Sequence, residues 1–158
     1  MEYHEKQYFT QGWIKIIAFI VLLTGIGTSL LFIVKESDYG LASVTFIFCF
    51  LIFLLFYVAY LDVSVSNTVI KYKFYPFQLR YREISVHDGI DLEVVEYNPI
   101  ADFGGWGIRK NSHATCYSTG GNFALKIKEK GKKDIYIGTL HPDKLKDYLS
   151  ARTSSAHS

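Results

Sequence analysis

Two long uncharged stretches dominate the hydrophobic pattern of the first 61 residues. Residues 16–34 form a run of 19 and residues 41–61 a run of 21, and neither contains a charged side chain. An α-helix rises about 1.5 Å per residue, so each run is long enough to cross the roughly 30 Å hydrocarbon core of a bilayer. The pattern predicts two membrane-spanning helices, at about residues 14–34 and 41–61.

The polar link between the runs, residues 35–40, is too short for anything but an antiparallel helix pair. Two alternatives exist, a pair of buried core helices and a cleaved signal peptide in the first run. The chain predicts no other helices that could cover a buried pair. A second run directly after the first, with no small-residue cleavage site between them, also argues against a signal peptide. Small residues of the first run, among them Gly25, Gly27 and Ser29, are expected to pack against the second span.

Basic residues flank the outer ends of this predicted hairpin. Lys6 and Lys15 lie before the first span, the link contributes only Lys35, and four basic residues follow the second span: Lys71, Lys73, Arg80 and Arg82. Segments next to membrane spans carry an excess of lysine and arginine on the cytoplasmic side. We therefore expect both termini in the cytoplasm.

From residue 62 the hydrophobic period becomes two, as in half-buried strands. The alternation predicts seven short strands, at residues 63–66, 70–75, 79–82, 90–94, 115–117, 123–128 and 134–139. Pro142 and an apolar i, i+3, i+4 stripe then predict a C-terminal helix. The expected organisation is a tail and transmembrane hairpin in residues 1–61, a strand-rich domain in 62–150 and a flexible tail in 151–158.

Charge is distributed unevenly, because residues 1–61 hold seven of the 32 charged side chains and the remaining residues hold the other 25. The net charge is only +2, which does not indicate a nucleic-acid-binding protein. The two cysteines, Cys49 and Cys116, lie in dissimilar surroundings and do not suggest a disulfide framework.

Two stretches of the strand-rich region resemble a known family. Residues 97–109, YNPIADFGGWGIR, and residues 137–145, IGTLHPDKL, are similar to parts of bacterial membrane proteins in which a two-helix hairpin precedes a pleckstrin-homology-like (PH-like) domain. The resemblance covers about residues 12–150. It implies an α+β membrane protein of the bacterial inner membrane, whose PH-like antiparallel β-barrel or bent sheet is capped by a C-terminal helix. Those proteins are largely uncharacterised, so the resemblance assigns no catalytic residue.

The glycine-rich segment supplies the first candidate binding site. Phe103 and Trp106, followed by Arg109 and Lys110, combine aromatic and basic side chains as protein interfaces do. Trp106 is also a candidate for contact with lipid headgroups. The structural alternative is that the glycines of this segment allow positive φ angles or let Trp106 fold back onto the sheet. The segment lacks the spacing of a phosphate-binding loop.

The second candidate site is a cluster of lysines on the predicted closing hairpin: Lys126, Lys128, Lys130, Lys132 and Lys133. Anionic lipid would attract such a cluster, whereas the alternative is an ordinary solvated turn that protects a sheet edge.

No sequence motif supplies a nucleophile, a general base, a metal site or a cofactor site. The five histidines are scattered, and none follows the spacing of a helical zinc site. We therefore expect a non-enzymatic binding or scaffolding module that docks a protein or the lipid surface at the cytoplasmic face. A regulatory subunit of a larger transporter or channel assembly is the alternative. A channel built from the hairpin alone is disfavoured, since neither run carries a charged side chain.

Overall fold

The computed structural model describes residues 2–9, 12–36, 38–87 and 89–155. It is a mixed α+β structure with two long apolar helices near the N-terminus and two β-sheets. The chain forms two compact units. One contains residues 12–59, and the other combines residues 2–9 with residues 60–155.

The first unit consists of helices α1 (Gly12–Leu31) and α2 (Tyr39–Val58), with a π-helical segment, Phe32–Glu36, after α1. Asp38 is the N-cap of α2, and its carboxylate accepts a hydrogen bond of 2.9 Å from the backbone N–H of Leu41. The stretches Gly12–Lys35 and Tyr39–Val58 have mean hydropathies of 2.6 and 2.7, and only 17% and 6% of an 18-residue window in each is buried. Both helices are therefore long and apolar enough to span a membrane.

Small side chains bring α1 and α2 close together. A Cβ atom placed on Gly25 would lie 2.5 Å from Cβ of Cys49, so only glycine fits there. The hydroxyl of Ser29 donates a hydrogen bond of 2.9 Å to the carbonyl oxygen of Ala42 across the helix pair. The predicted use of small residues is thus confirmed for Gly25 and Ser29. Gly27 differs, because a Cβ placed there would meet no described atom within 4 Å.

The second helix is shorter than the hydrophobic run that contains it. α2 ends at Val58, and the chain becomes extended at Ala59 and enters strand β2 (Tyr60–Val65). Leu61, predicted as the end of the span, is fully buried in the second unit. The predicted end was therefore wrong by three residues, because hydropathy does not distinguish a lipid environment from a sheet core.

Four antiparallel strands form the first sheet, in the order β1-β2-β3-β4. β1 is Tyr3–Tyr8, β3 is Val69–Tyr75 and β4 is Arg82–Ser85. The sequence pattern predicted no strand at β1, which pairs with β2 along its whole length. The strand predicted at 79–82 is also wrong, because residues 76–81 form a loop and β4 begins at Arg82. The Tyr75–Pro76 peptide bond is cis.

Five strands form the second sheet, in the order β5-β8-β9-β7-β6. They are β5 (Ile90–Glu96), β6 (Gly107–Lys110), β7 (Ala114–Ser118), β8 (Phe123–Glu129) and β9 (Asp134–Thr139). A short helix, α3 (Pro99–Phe103), lies between β5 and β6 where the sequence predicted a connection only. The described residues thus contain nine strands instead of seven, and within them neither sheet closes into a barrel.

Both sheets and the C-terminal helix α4 (Pro142–Ser155) contribute to one hydrophobic core. Phe74 of the first sheet, Leu125 and Ile137 of the second and Leu145 of α4 are all at most 2% exposed. Residues 151–155, predicted as part of a tail, continue α4, and residues 156–158 lie outside the described residues.

Candidate functional site

Phe103, the first predicted docking residue, contributes to a small aromatic cluster. Asn98 caps α3 by accepting hydrogen bonds of 3.1 Å from the N–H groups of Ile100 and Ala101. The Phe103 ring is half-buried and meets the ring of Tyr97 at 5.9 Å and that of Tyr136 at 5.3 Å between centroids. Phe103 therefore packs against Tyr97 and Tyr136. Its predicted part in a docking surface is not tested by this contact.

Trp106 folds back toward the chain that connects β7 and β8. Its indole Nε1 donates a hydrogen bond of 3.1 Å to the carbonyl oxygen of Gly121. Gly104 and Gly105 precede it with φ angles of 73° and 123°, which side-chain-bearing residues rarely adopt. This is the arrangement that the structural alternative predicted for the glycines.

Arg109 and Lys110 are the exposed members of the predicted docking set. The Arg109 Nε–H donates a hydrogen bond of 3.1 Å to the carbonyl oxygen of Trp106, which holds the guanidinium beside the indole segment. The structure thus brings Trp106, Arg109 and Lys110 together on β6 and the turn before it. Their use as a docking surface stays a prediction.

Three of the five predicted lipid-surface lysines have partners within the domain. Lys126 lies 3.3 Å from Asp134, Lys132 lies 2.7 Å from Glu129, and Lys133 donates to the carbonyl oxygen of Asn111 at 3.2 Å. The pKa of Lys126 is raised, first by its contact with the Tyr136 hydroxyl and then by Asp134. Lys128 and Lys130 are exposed, with no ion pair among the described residues. The use of this cluster as a lipid surface stays a prediction.

The first sheet carries a surface that the sequence interpretation missed. Its residues are six tyrosines and lysines, which we call the tyrosine–lysine face: Lys6, Tyr8, Tyr60, Lys73, Tyr75 and Tyr81. The registers Tyr8↔Tyr60 and Tyr60↔Tyr75 place three tyrosines side by side on adjacent strands. The Tyr60 and Tyr75 rings stack at 5.3 Å, and Nζ of Lys6 lies 4.1 Å from the Tyr60 centroid. The sequence feature that could have indicated this face is the position of Tyr8 and Tyr60, one at each end of the predicted hairpin.

A carboxylate is nearly buried next to this face. Asp62 is only 7% exposed, and one of its oxygens, Oδ2, accepts a hydrogen bond of 2.9 Å from the Tyr81 hydroxyl. This bond is the main reason that the pKa of Tyr81 is raised. The other oxygen, Oδ1, lies 2.9 Å from Nε2 of His4, at ion-pair distance but without hydrogen-bond geometry. Asp62 and His4 line an open depression of about 260 Å³ with Glu2, Ser64, Lys71 and Tyr81.

β1 is held in the sheet unit by buried polar side chains on its other face. Glu5 is 6% exposed, and its carboxylate accepts hydrogen bonds from the Thr139 hydroxyl at 2.7 Å and from the Leu140 N–H at 2.8 Å. Gln7 is 1% exposed and donates a hydrogen bond of 2.7 Å to the carbonyl oxygen of Gly138. These bonds connect β1 to the end of β9, about 130 residues later in the chain.

Within the described ranges, no three His, Cys, Asp or Glu side chains lie together as a metal site requires. Cys116 is fully buried, and burial raises the pKa of its thiol, which disfavours the reactive thiolate.

No protein-family model matches the chain, and no curated protein or solved structure is similar enough to count as a match. The chain is therefore described by its architecture, as a mixed α+β protein with two candidate membrane spans and two β-sheets.

Proposed function

We propose that the protein is a membrane-anchored, non-enzymatic binding or scaffolding module. In this proposal α1 and α2 cross the inner membrane of a bacterium as a hairpin, and the two-sheet unit works at the cytoplasmic face. The observation that carries the proposal is the position of the hairpin in the chain, between the paired strands β1 and β2.

The pairing of β1 with β2 constrains how the chain can cross a bilayer. Tyr8 precedes α1 by four residues, Tyr60 follows α2 by two, and the two tyrosines are register partners. Paired strands lie about 5 Å apart, whereas the hydrocarbon core is about 30 Å thick. Both ends of the inserted segment must therefore lie on the same side of the membrane. Two helices of spanning length satisfy that condition with one crossing each.

The distribution of basic residues supports the cytoplasmic orientation. Lys6, Lys71 and Lys73 belong to the sheet unit and Lys15 lies in the first turn of α1, whereas Lys35 is the one basic residue of the link. Positive residues near spans are retained on the cytoplasmic side. The resemblance of residues 97–109 and 137–145 to bacterial membrane proteins with a hairpin before a PH-like domain is the basis for proposing a bacterial inner membrane.

The exposed pair Arg109 and Lys110, beside Trp106, is the surface that we assign to a protein partner. Anchoring makes a weak contact effective, because a partner in or at the same membrane is held at a high local concentration. The proposal of a non-enzymatic role rests on the lack of a catalytic motif in the sequence and on the inert environment of Cys116.

Cysteine accessibility tests the topology. In the full chain with Cys49→Ala and Cys116→Ala, Lys35→Cys reports on the link and Lys130→Cys on the sheet unit. A membrane-impermeant maleimide added to intact cells should label position 35, and position 130 only after permeabilisation. Equal labelling of both positions in intact cells, or loss of the protein from membranes in alkaline carbonate, would contradict the hairpin.

Partner recovery tests the docking surface. The double substitution Arg109→Glu with Lys110→Glu should abolish co-purification of a membrane-associated partner, because it reverses two exposed charges without removing the Trp106 bond to Gly121. The matched control is Lys128→Glu with Lys130→Glu, which reverses two exposed charges on the β8–β9 hairpin. Loss of the same partner in both variants would show that general charge, and not this surface, controls recovery.

The alternative function, a regulatory subunit of a transporter or channel assembly, is favoured by one feature of α1. Gly27 lies away from the α1–α2 contact, and small residues at a lipid-facing position allow another helix to approach closely. Cys49 packs against Gly25 and is badly placed to report on neighbours. Crosslinking in native membranes from Gly27→Cys, with Val44→Cys on exposed α2 surface as control, should give a specific heavy adduct only if the chain belongs to a larger assembly.

A further inference from the structure

The loop between β3 and β4, residues 76–81, exposes two large apolar side chains. Phe77 is 63% exposed and Leu79 is 76% exposed, with the charged Arg80 next to them. Single exposed apolar residues are common on soluble domains, whereas two on one short loop are a candidate contact surface. Tyr81, which ends the loop, is 46% exposed and belongs to the tyrosine–lysine face, whereas the Phe77 ring lies 6.0 Å from the ring of the buried Phe74.

The loop is held in this conformation by hydrogen bonds at both ends. The Gln78 N–H donates to the carbonyl oxygen of Phe74 at 2.8 Å, and the Gln78 side-chain oxygen accepts from the Phe74 N–H at 3.1 Å. At the other end the Tyr81 hydroxyl is bonded to Asp62. Phe77 and Leu79 are thus presented by a fixed backbone, so little conformational entropy would be lost when they bind a surface.

Strand register places this loop at the end of the sheet where the hairpin joins it. Tyr75, the last residue of β3, pairs with Tyr60, and Tyr60 pairs with Tyr8. Tyr60 comes two residues after the last residue of α2 and Tyr8 four residues before the first residue of α1. Only a few residues of chain therefore separate these two tyrosines from the helices.

The charges around the loop are complementary to anionic lipid. Nζ of Lys6 lies over the Tyr60 ring and Nζ of Lys73 lies 4.6 Å from the Tyr81 centroid. The contact with the Tyr8 hydroxyl raises the pKa of Lys6, so its ammonium group is charged at neutral pH. Asp62, whose charge acts on both Lys6 and Lys73, is nearly buried. Tyrosine is enriched at the headgroup level of membranes, and the anionic cytoplasmic leaflet attracts lysine.

We propose that the β3–β4 loop and the tyrosine–lysine face rest on the anionic leaflet from which the hairpin emerges. Phe77 and Leu79 enter the boundary between headgroups and acyl chains, and Lys6, Lys73 and Arg80 contact lipid phosphates. This inference rests on the proposed membrane-spanning hairpin, and it differs from the predicted lipid contacts through Trp106 and the β8–β9 lysines.

Lipid quenching of a single fluorophore tests the inference. The full chain with Cys49→Ala and Cys116→Ala is reconstituted in nanodiscs of phosphatidylglycerol and phosphatidylcholine and carries a bimane label on Leu79→Cys. The matched control is Thr68→Cys, exposed in the β2–β3 turn at the opposite end of the same strands, about 20 Å away. Phospholipids with a spin label near the top of the acyl chain should quench and blue-shift the label at position 79 and leave the label at position 68 unchanged.

Charge substitution then tests the lipid chemistry. A lysine near an anionic surface contributes about 1 kcal/mol, so Lys73→Gln should lower the ratio of docked to free loop about fivefold. The effect should disappear in nanodiscs of phosphatidylcholine alone. Equal quenching at positions 79 and 68, or protection of position 79 from aqueous iodide without lipid quenching, would overturn the inference, the second outcome indicating a protein contact. An alkaline carbonate wash separates failure of this inference from failure of the hairpin proposal. If both labelled chains stay in the membrane, only the lipid-contact inference has failed. If the chain is released, the hairpin proposal itself has failed.

Discussion

Glu5 offers the sharpest test of the way β1 is held in the sheet unit. Its buried carboxylate accepts hydrogen bonds from the Thr139 hydroxyl, the Leu140 N–H and the Tyr3 hydroxyl. In Glu5→Leu the side chain keeps a similar size, but all three donors lose their acceptor. The backbone N–H of Leu140 cannot turn to another partner, whereas the hydroxyls can rotate.

The expected loss follows from those three bonds. A hydrogen bond to a charged group contributes about 1.5–3 kcal/mol, and burial of a leucine side chain returns about 2 kcal/mol. The free energy of unfolding of Glu5→Leu should therefore fall by about 3–7 kcal/mol. Glu5→Gln should cost about 1 kcal/mol, because its carbonyl oxygen can still accept from Leu140 while its amide group donates to a hydroxyl.

Urea unfolding of the full chain in detergent micelles measures both losses, with Trp106 fluorescence in a Trp13→Phe background as the signal. Trp106 lies in the sheet unit, so its fluorescence reports on that unit. Glu93→Leu is the matched control, because Glu93 is an exposed glutamate on β5 and its replacement should change stability by less than about 0.5 kcal/mol. A Glu5→Leu variant as stable as Glu93→Leu, or a Glu5→Gln variant as damaged as Glu5→Leu, would refute the reasoning.

Three further predictions concern packing and titration. Gly25→Leu should lower the free energy of unfolding of the chain in micelles by about 1–3 kcal/mol, because the new side chain collides with Cys49. Equal stability of Gly25→Leu and Gly27→Leu would argue against the contact between the helices. Burial raises the pKa of Cys116, so a hydrophilic maleimide at neutral pH should modify Cys116 only after unfolding, and rapid labelling of the folded chain would contradict its burial. Burial also raises the pKa values of Tyr72 and Tyr97. The unfolded chain loses these phenol protons near pH 10, whereas the folded chain retains them. The free energy of unfolding should therefore fall as the pH rises above about 10, and an ultraviolet titration of the folded chain should show the two phenols ionising at higher pH. An unchanged free energy of unfolding above about pH 10 would contradict the raised pKa values.

The hydrophobic pattern was sufficient for the helix pair and for most strands of the sheet unit. Two uncharged runs of membrane-spanning length can hardly form anything but apolar helices, and the six-residue link makes them neighbours. β3, β8 and β9 were predicted because their buried residues are apolar and alternate with polar ones. In those strands the apolar residues are the buried ones, so an alternation of period two was sufficient to predict the strand.

The same pattern missed β1, because the residues that β1 buries are Glu5 and Gln7. Their burial is possible only because Thr139, Leu140 and Gly138, about 130 residues away, supply hydrogen-bond partners. No local signal predicts such a partner. The orientation of Phe103 depends in the same way on Tyr97 and Tyr136, and hydropathy alone could not separate the end of α2 from the start of β2.

The sequence by itself thus determined that two apolar helices precede an ordinary strand-rich domain, since run length and periodicity are local properties of the chain. Tertiary structure decided that the helices are inserted between two paired strands, and that tyrosines and lysines from Lys6 to Tyr81 meet on one sheet face. Both features depend on strand register between distant segments. Register is set by the buried partners of each strand, and those partners become visible only when the chain is folded.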